Sequence, residues 1–168
     1  AISAAWPHLD NKDPFIRWAA RTALEHQPVS GWAERALSEK KAGRQLEALL
    51  ALAQVTGICP SHRQPSDPPL DTAMQSKILG ALEKMDWQKL SNDQRILLVR
   101  IYEICFNRFG RPNEDTGRSI LAQLDSRFPG ATRESLETEP RRLCILCDRY
   151  LTTHLVSMYT QPKVGHTM

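Results

Sequence analysis

The sequence lacks any apolar stretch long enough to cross a membrane, and it nearly lacks the patterns of β-strands. Its longest apolar tract, residues 48–53, is far shorter than the ~20 residues of a membrane-spanning helix. No run of alternating β-branched residues occurs, and no Asn-Gly or Asp-Gly pair marks a hairpin turn. We therefore expect no membrane insertion and no β-sheet.

The chain also lacks a large excess of one charge and a high content of cysteine. The chain has 22 Lys and Arg residues against 19 Asp and Glu residues, a net charge of +3, spread along its length. A nucleic-acid-binding protein gathers basic residues on one face, so we predict no nucleic-acid partner. Four cysteines in 168 residues do not suggest a disulfide framework, and they leave the redox compartment open.

The common catalytic motifs are absent as well. The sequence contains no Gly-x-Ser-x-Gly, no P-loop and no Gly-x-Gly-x-x-Gly motif. Four scattered histidines form no short metal-binding pair: His8, His26, His154 and His166. We assign the four tryptophans to core filling rather than to an aromatic binding cluster. These observations predict no enzymatic activity and no bound cofactor.

Helix-forming residues dominate what is present, and regular breaks divide them. Asp13 followed by Pro14 predicts a helix start, and Ser91 with Gln94 predicts a capping box. Gly57 suits a helix C-cap. The pattern predicts eight helices, at residues 2–9, 14–27, 30–38, 43–55, 71–84, 92–109, 114–126 and 133–153.

Two of these helices carry a distinctive apolar pattern. Helix 92–109 is apolar on more than one face, so we expect neighbours on two of its sides. In helix 14–27 the helical spacing of the apolar residues predicts one inward-facing stripe. The stripe consists of Phe15, Ile16, Ala19, Ala20, Ala23 and Leu24.

The connections between these helices are mostly short, which makes sequence neighbours antiparallel. We therefore predict an all-α fold of αα-hairpins stacked into a short α-solenoid, with a closed bundle as the alternative. Residues 1–168 are interpreted as a single helical-repeat domain. Because residue 1 is not methionine, we expect a processed chain or a fragment of a larger protein, and we favour the fragment. Within the domain, residues 58–70 are predicted to form a proline-rich loop, and residues 161–168 a frayed tail.

A sharper motif lies at residues 9–24. Asp10 precedes an Asp13-Pro14 turn, and Arg17 falls in the first turn of the alanine-rich helix that follows. This segment resembles the second half of a HEAT repeat, which implies that the solenoid consists of HEAT-like repeats. Arg17 is then structural rather than catalytic. We expect it to link layers through a turn carboxylate, with Asp10 or Asp13 as the first candidates.

Further segments extend the resemblance over most of the chain: residues 6–10, 15–21, 23–29 and 86–91, with Arg111-Pro112 and Phe128-Pro129. They resemble HEAT-like segments of large exported bacterial proteins that also carry c-type haem domains. The resemblance implies a periplasmic or otherwise exported location, although a cytoplasmic one stays open. It also implies a protein partner or neighbouring domains of the same polypeptide, c-type haem domains among them. The chain itself has no Cys-x-x-Cys-His, the motif for covalent haem attachment.

A rival interpretation starts from Cys144 and Cys147, a Cys-x-x-Cys pair followed by aspartate. Together with Cys59 and His62 they make a legitimate zinc-ligand set, whereas the simpler interpretation of the pair is two small buried side chains. We therefore predict a non-catalytic scaffold, a protein–protein or interdomain interaction module built from HEAT-like repeats. The alternative is a redox or metal-binding accessory domain that uses these four residues.

Overall fold

The computed structural model describes residues 1–58, 62–67 and 69–125, and within these ranges the chain is helical and has no β-strand. The predicted all-α character is therefore confirmed for this part. The α-helices are α1 (Ile2–Ala5), α2 (Pro14–Glu25), α3 (Ala33–Ser38), α4 (Ala42–Thr56), α5 (Thr72–Glu83), α6 (Asn92–Phe109) and α7 (Glu114–Asp125). Short 3₁₀ helices lie at Trp6–Asp10, Val29–Gly31 and Trp87–Lys89.

Seven of the eight predicted helices have counterparts in the described residues. Predicted helix 2–9 is divided into α1 and the 3₁₀ helix Trp6–Asp10, because Pro7 has no backbone N–H to continue the α-helical ladder. Predicted helix 30–38 is likewise a short 3₁₀ helix followed by α3. The eighth predicted helix, residues 133–153, and the tail at 161–168 lie outside the described residues, as does part of the 58–70 loop.

Both predicted helix starts are confirmed. The Asp13 carboxylate accepts a hydrogen bond from the Phe15 amide at 2.8 Å, and Pro14 is the first residue of α2. Ser91 Oγ accepts from the Gln94 amide, while the Gln94 side chain accepts from the Ser91 amide. These caps satisfy backbone donors that the first helical turn leaves unpaired, so they fix where α2 and α6 begin.

Helix α4 lies at the centre of the hydrophobic core. All its residues from 46 to 53 are buried, because α2, α3, α5, α6 and the 3₁₀ helix Trp6–Asp10 all contact it. Residues buried in this way need no polar side chains, which accounts for the nearly continuous apolar sequence at residues 46–53.

Helices that are two apart in the chain follow one another in space. Helix α4 contacts both α2 and α6, and α3 contacts α5. Helix α7 reaches α5 through Gln123, whose Nε2 donates to the Glu83 carbonyl oxygen at 3.3 Å. Consecutive helices from α3 to α6 also contact one another. The result is one succession of α2, α4 and α6 beside a second succession of α3, α5 and α7.

The starts of successive helices lie close together. A Cβ atom at Gly43, in the first turn of α4, would be 3.3 Å from the Asp10 Cβ and 3.4 Å from the Gln94 Nε2. Asp10 ends the 3₁₀ helix before α2, and Gln94 lies in the first turn of α6. The missing side chain at Gly43 thus lets the beginning of α4 lie directly between the two neighbouring turns.

Candidate functional site

Arg17 connects the turn before α2 to α4. Its Nη1 donates to the carbonyl oxygens of Asn11 at 2.8 Å and Lys12 at 3.2 Å. Its Nε lies 3.4 Å from Oε1 of Glu47, which belongs to α4. The guanidinium therefore closes the turn and pairs with a carboxylate on the next helix of the succession.

Glu47 is the carboxylate on which two arginines of α2 converge. Its side chain is only 9% exposed, and its Oε2 lies 2.8 Å from Nη1 of Arg21, one helical turn beyond Arg17. Arg21 Nε lies 3.4 Å from Glu25. Partial burial raises the pKa of the Glu25 carboxyl, and the neighbouring Arg21 charge opposes that effect. A compact network of charges thus joins α2 to α4.

Asp10 pairs with α4 and not with Arg17. Its Oδ1 lies 2.9 Å from Nε of Arg44, and its Oδ2 lies 4.0 Å from Nζ of Lys41. The predicted pairing of Arg17 with Asp10 or Asp13 is therefore wrong. The Asp13 carboxylate caps α2, whereas the Arg17 guanidinium donates to a turn carbonyl through Nη1 and pairs with Glu47 through Nε. The charged residues still link successive helices, but through different pairs.

The tryptophans divide between the core and the surface. Trp6 and Trp32 are each 1% exposed, so the assignment to core filling is confirmed for them. Trp6 donates from Nε1 to Glu39 at 2.7 Å, and Arg35 covers its ring at 4.2 Å. Trp18, in contrast, is 59% exposed. An indole ring that is largely in solvent does not fill the core, so Trp18 is a surface residue.

Trp18 is part of an exposed apolar surface on α2. Of the predicted inward stripe, only Ala20 and Leu24 are buried. Phe15 is 80% exposed and Ile16 is 42% exposed, so the inward prediction is wrong for these residues. We define the α2 outer face by its five exposed apolar residues: Phe15, Ile16, Trp18, Ala19 and Ala23.

Helical geometry explains why the stripe is divided. Phe15, Ala19 and Ala23 are spaced four residues apart and share one side of α2. Arg17 and Arg21, which also lie four residues apart, pair with α4 from another side. The helix is apolar over too wide an arc for one neighbour to cover. Exposed apolar residues that form a contiguous patch mark an interaction surface more often than isolated ones do.

A groove of about 650 Å³ runs beside the network, between α2, α4 and α6. Its charged lining residues are of both signs: Lys12, Arg17, Arg21 and Arg100 with Asp10, Glu47 and Asp93. The charges of this lining nearly balance, with four cations and three anions.

The residues of the metal or redox alternative are mostly outside the described ranges. Cys59, Cys144 and Cys147 all lie there, and His62 is described and exposed. Among the described residues, no three His, Cys, Asp or Glu side chains are placed to hold a metal ion. Cys105 is described and buried, and desolvation raises the pKa of its thiol to about 12. That thiol stays protonated and acts as a small core side chain.

Searches with protein-family models, curated proteins and solved structures find no match for this chain. In the described ranges no helix combines the length and the apolar character that crossing a membrane requires. The HEAT-like resemblance therefore rests on the motif residues of the chain, and it stays a prediction.

Proposed function

We propose that this chain is a non-catalytic interaction module of HEAT-like helical hairpins, with the α2 outer face as its docking surface. The observation that carries the proposal is the exposure of Phe15 and Trp18, at 80% and 59%, beside the exposed Ala19 and Ala23. Leaving two large aromatic side chains in water is unfavourable, since burying such a side chain contributes about 1.5–3 kcal/mol. A docked partner would recover that free energy.

The order of helix contacts supports a stacked arrangement. In solenoids each hairpin contacts its neighbours along one direction, and the ends expose surfaces that an internal hairpin would cover. Helix α4 is covered by α2 on one side and by α6 on another, whereas α2 contacts α4, α1 and the 3₁₀ helix Trp6–Asp10 and leaves its outer face open. This contact pattern supports the outer face as a surface on which a partner packs.

The ion pairs support a structural role for the motif residues. Asp10 pairs with Arg44, and Glu47 pairs with Arg17 and Arg21, so each carboxylate meets a cation from a neighbouring segment. Carboxylates held in this way brace the helices and are poorly suited to exchange protons with a substrate. This arrangement favours a scaffold over a catalytic centre.

The resemblance to large exported proteins adds a proposed context. We assign the partner to a protein or to a neighbouring domain of the same polypeptide, with c-type haem domains among the candidates, in a periplasmic or otherwise exported location. The apolar character of the α2 outer face fits a protein partner surface, because aromatic anchors are typical of packed interfaces.

Site-specific photo-crosslinking in the source cells tests this proposal. The crosslinking amino acid p-benzoylphenylalanine replaces Trp18 in one variant and the exposed Ala73 of α5 in a matched control. We expect one product at position 18, identified by mass spectrometry, that disappears when Ala19→Arg is added. Equal products from both positions, or a product at position 18 that Ala19→Arg leaves unchanged, would contradict the proposal.

A further inference from the structure

We infer that the groove between α2, α4 and α6 is a second docking site, which binds an extended segment of a partner protein with one carboxylate between aliphatic side chains. None of the five residues of the α2 outer face lines this groove, so the inference goes beyond the proposed function. The volume of the groove, the guanidinium groups of its walls and the aliphatic side chains beside them define the occupant.

The three helices that form the groove run in the same direction. At the start of α4, Gly43 lies beside Gln94 of α6, and at the end of α4, Gly57 lies beside Arg108 of α6. Glu25, the last residue of α2, is also close enough to Arg108 for the two charges to interact. The groove therefore follows the length of α4, with α2 as one wall and α6 as the other.

The volume of the groove fits an extended chain better than a helix. Its floor on α4 runs from Gly43 to Gln54, a length of about 16 Å at 1.5 Å per residue. A helix of that length and about 10–12 Å in diameter would occupy about 1,300–1,800 Å³. The groove measures about 650 Å³, less than half of that volume. An extended segment covers the same length with about five residues, because a strand rises about 3.3 Å per residue.

Three arginines line the middle of the groove: Arg17 and Arg21 from α2, and Arg100 from α6. Glu47 is the carboxylate of the floor there, and its two oxygens already pair with Arg17 and Arg21. Arg100 pairs with Glu103 of its own helix at 3.4 Å and is 47% exposed, so this pair contributes little and exchanges easily. Each guanidinium has five N–H donors, which leaves donors for one further carboxylate.

The other charges of the groove lie at the end where the helices begin. Asp10 ends the 3₁₀ helix before α2, Lys12 precedes α2, and Asp93 lies in the first turn of α6. The middle of the groove therefore has three cations to one anion, although the charges of the whole lining nearly balance. An acidic side chain of a partner complements this middle part.

Arg21 and Arg100 lie at nearly the same level on opposite walls. Arg21 pairs with Glu47, which fixes its level along α4. Counted from the contact of Gly43 with Gln94, Arg100 lies two residues beyond Glu47, about 3 Å along the helix axis. A carboxylate in the middle of the groove can therefore receive hydrogen bonds from both walls.

Aliphatic side chains flank Arg100 along α6. Leu97 lies one turn before it and Ile104 one turn after it, and both are half-buried residues of the groove lining. Each is about 4.5–6 Å from Arg100 along the axis. In an extended chain, side chains two residues apart share one side and lie about 6.6 Å apart. The occupant therefore has the pattern aliphatic-x-acidic-x-aliphatic.

Fluorescence anisotropy with a labelled synthetic peptide tests this docking site. The probe contains Leu-Thr-Glu-Thr-Ile between Gly-Ser flanks, and its matched control has Gln in place of Glu. We expect a Kd of roughly tens to hundreds of micromolar for the Glu peptide. The Gln peptide should bind at least about tenfold more weakly, because it forms no charge-assisted hydrogen bonds with the arginines. No binding of the Glu peptide up to ~1 mM, or equal binding of both peptides, overturns the inference.

Charge reversal of one arginine locates the peptide. Arg100→Glu is compared with Arg118→Glu, because both arginines are exposed and pair with an acid of their own helix, but Arg118 lies outside the groove. Circular dichroism verifies that both variants are folded. Arg100→Glu should raise the Kd of the Glu peptide at least about tenfold and lower that of a peptide with Lys in place of Glu. Arg118→Glu should change neither by more than about twofold. Equal effects of the two variants overturn the inference.

A variant of the α2 outer face separates this inference from the proposed function. Ala19→Arg should leave the Kd of the Glu peptide unchanged, because Ala19 does not line the groove. Loss of peptide binding in Ala19→Arg would place the peptide on the outer face and overturn the inference alone. Failure of the crosslink at position 18, with the peptide results as expected, would overturn the proposed function alone.

Discussion

Arg21 of α2 and Glu47 of α4 form an ion pair in which Nη1 lies 2.8 Å from Oε2, across a sequence separation of 26 residues. Taken as a whole residue, Glu47 is only 7% exposed, and no other charged residue in the described ranges is buried so fully. A carboxylate in such a place is stable only while its cations remain, because an unpaired buried charge is costly. The pair therefore makes the contact of α2 with α4 depend on specific residues.

Replacing Glu47 with Ala should lower the free energy of unfolding by about 2–3 kcal/mol. The loss falls below that of a fully buried pair because Arg17 and Arg21 retain side-chain exposures of 33% and 19%. Urea denaturation of Glu47→Ala, Arg21→Ala and the double variant measures it, with an expected coupling of about 1–2 kcal/mol.

The matched control for this cycle is Arg17 with Asp13, which are close in sequence but do not pair in the structure. Their effects on the free energy of unfolding should add. Additive effects for Arg21 and Glu47 as well would show that the observed ion pair contributes no coupling.

Substitution of two glycines by alanine should change stability in opposite directions. A Cβ at Gly57 would lie 2.6 Å from the Arg108 Cβ and 2.8 Å from the Phe109 ring, whereas a Cβ at Gly80 meets nothing within 4 Å. Gly57→Ala should destabilise by about 1–3 kcal/mol through overpacking. Gly80→Ala, inside α5, should stabilise by about 0.5–1 kcal/mol through helix propensity. Thermal melts of both variants provide the comparison, and a stabilising Gly57→Ala would refute the close approach.

The two faces of α2 should respond differently to substitution. Leu24 is fully buried, so Leu24→Ala should cost about 2–5 kcal/mol. Phe15 is largely in solvent, so Phe15→Ser should change the free energy of unfolding by no more than about 0.5 kcal/mol. Urea denaturation of both variants measures these changes. A large loss for Phe15→Ser would mean that the predicted inward stripe was right after all.

The sequence predicted the helices well because their signals are local. The Asp13-Pro14 start and the Ser91 capping box depend only on residues within one turn, and both are present. Gly57 was predicted as a cap for the same local reason. Gly57 is indeed the C-cap of α4, and its N–H donates to the Ala53 carbonyl oxygen at 3.2 Å. Its backbone is extended, at φ −93°, rather than left-handed, and its small size serves contacts with Arg108 and Phe109 of α6. Contacts of this kind involve residues that are distant in the sequence, so the local sequence does not predict them.

The candidate site was harder to predict, again because it depends on packing. Glu47 inside the apolar run 46–53 was a signal of a buried charge, but its partners Arg17 and Arg21 lie in another helix. The apolar residues of α2 were recognised, yet periodicity alone does not say how much of their arc a neighbour covers. Only the position of α4 shows that Phe15 and Trp18 stay exposed.

Cys105 should make stability depend on pH above neutrality. Burial in α6 raises the pKa of its thiol from the usual 9.0 to about 12. The unfolded chain thus loses this proton near pH 9, while the folded chain keeps it until about pH 12. The stabilisation is fully present below pH 9 and is lost as the pH rises through the folded pKa. Between these values the free energy of unfolding should fall by up to about 1.4 kcal/mol per pH unit from this group.

Urea denaturation from pH 7 to 10.5 measures this slope, and Cys105→Ala is the control because tyrosines and lysines also titrate in that range. The variant should be less stable at pH 7, since it loses a buried sulfur atom, but the difference from the wild type should shrink as the pH rises above 9. A difference that stays constant over the whole range would show that the thiol ionises equally in both states. In that case Cys105 would not be buried in the folded chain in the way that the structure shows.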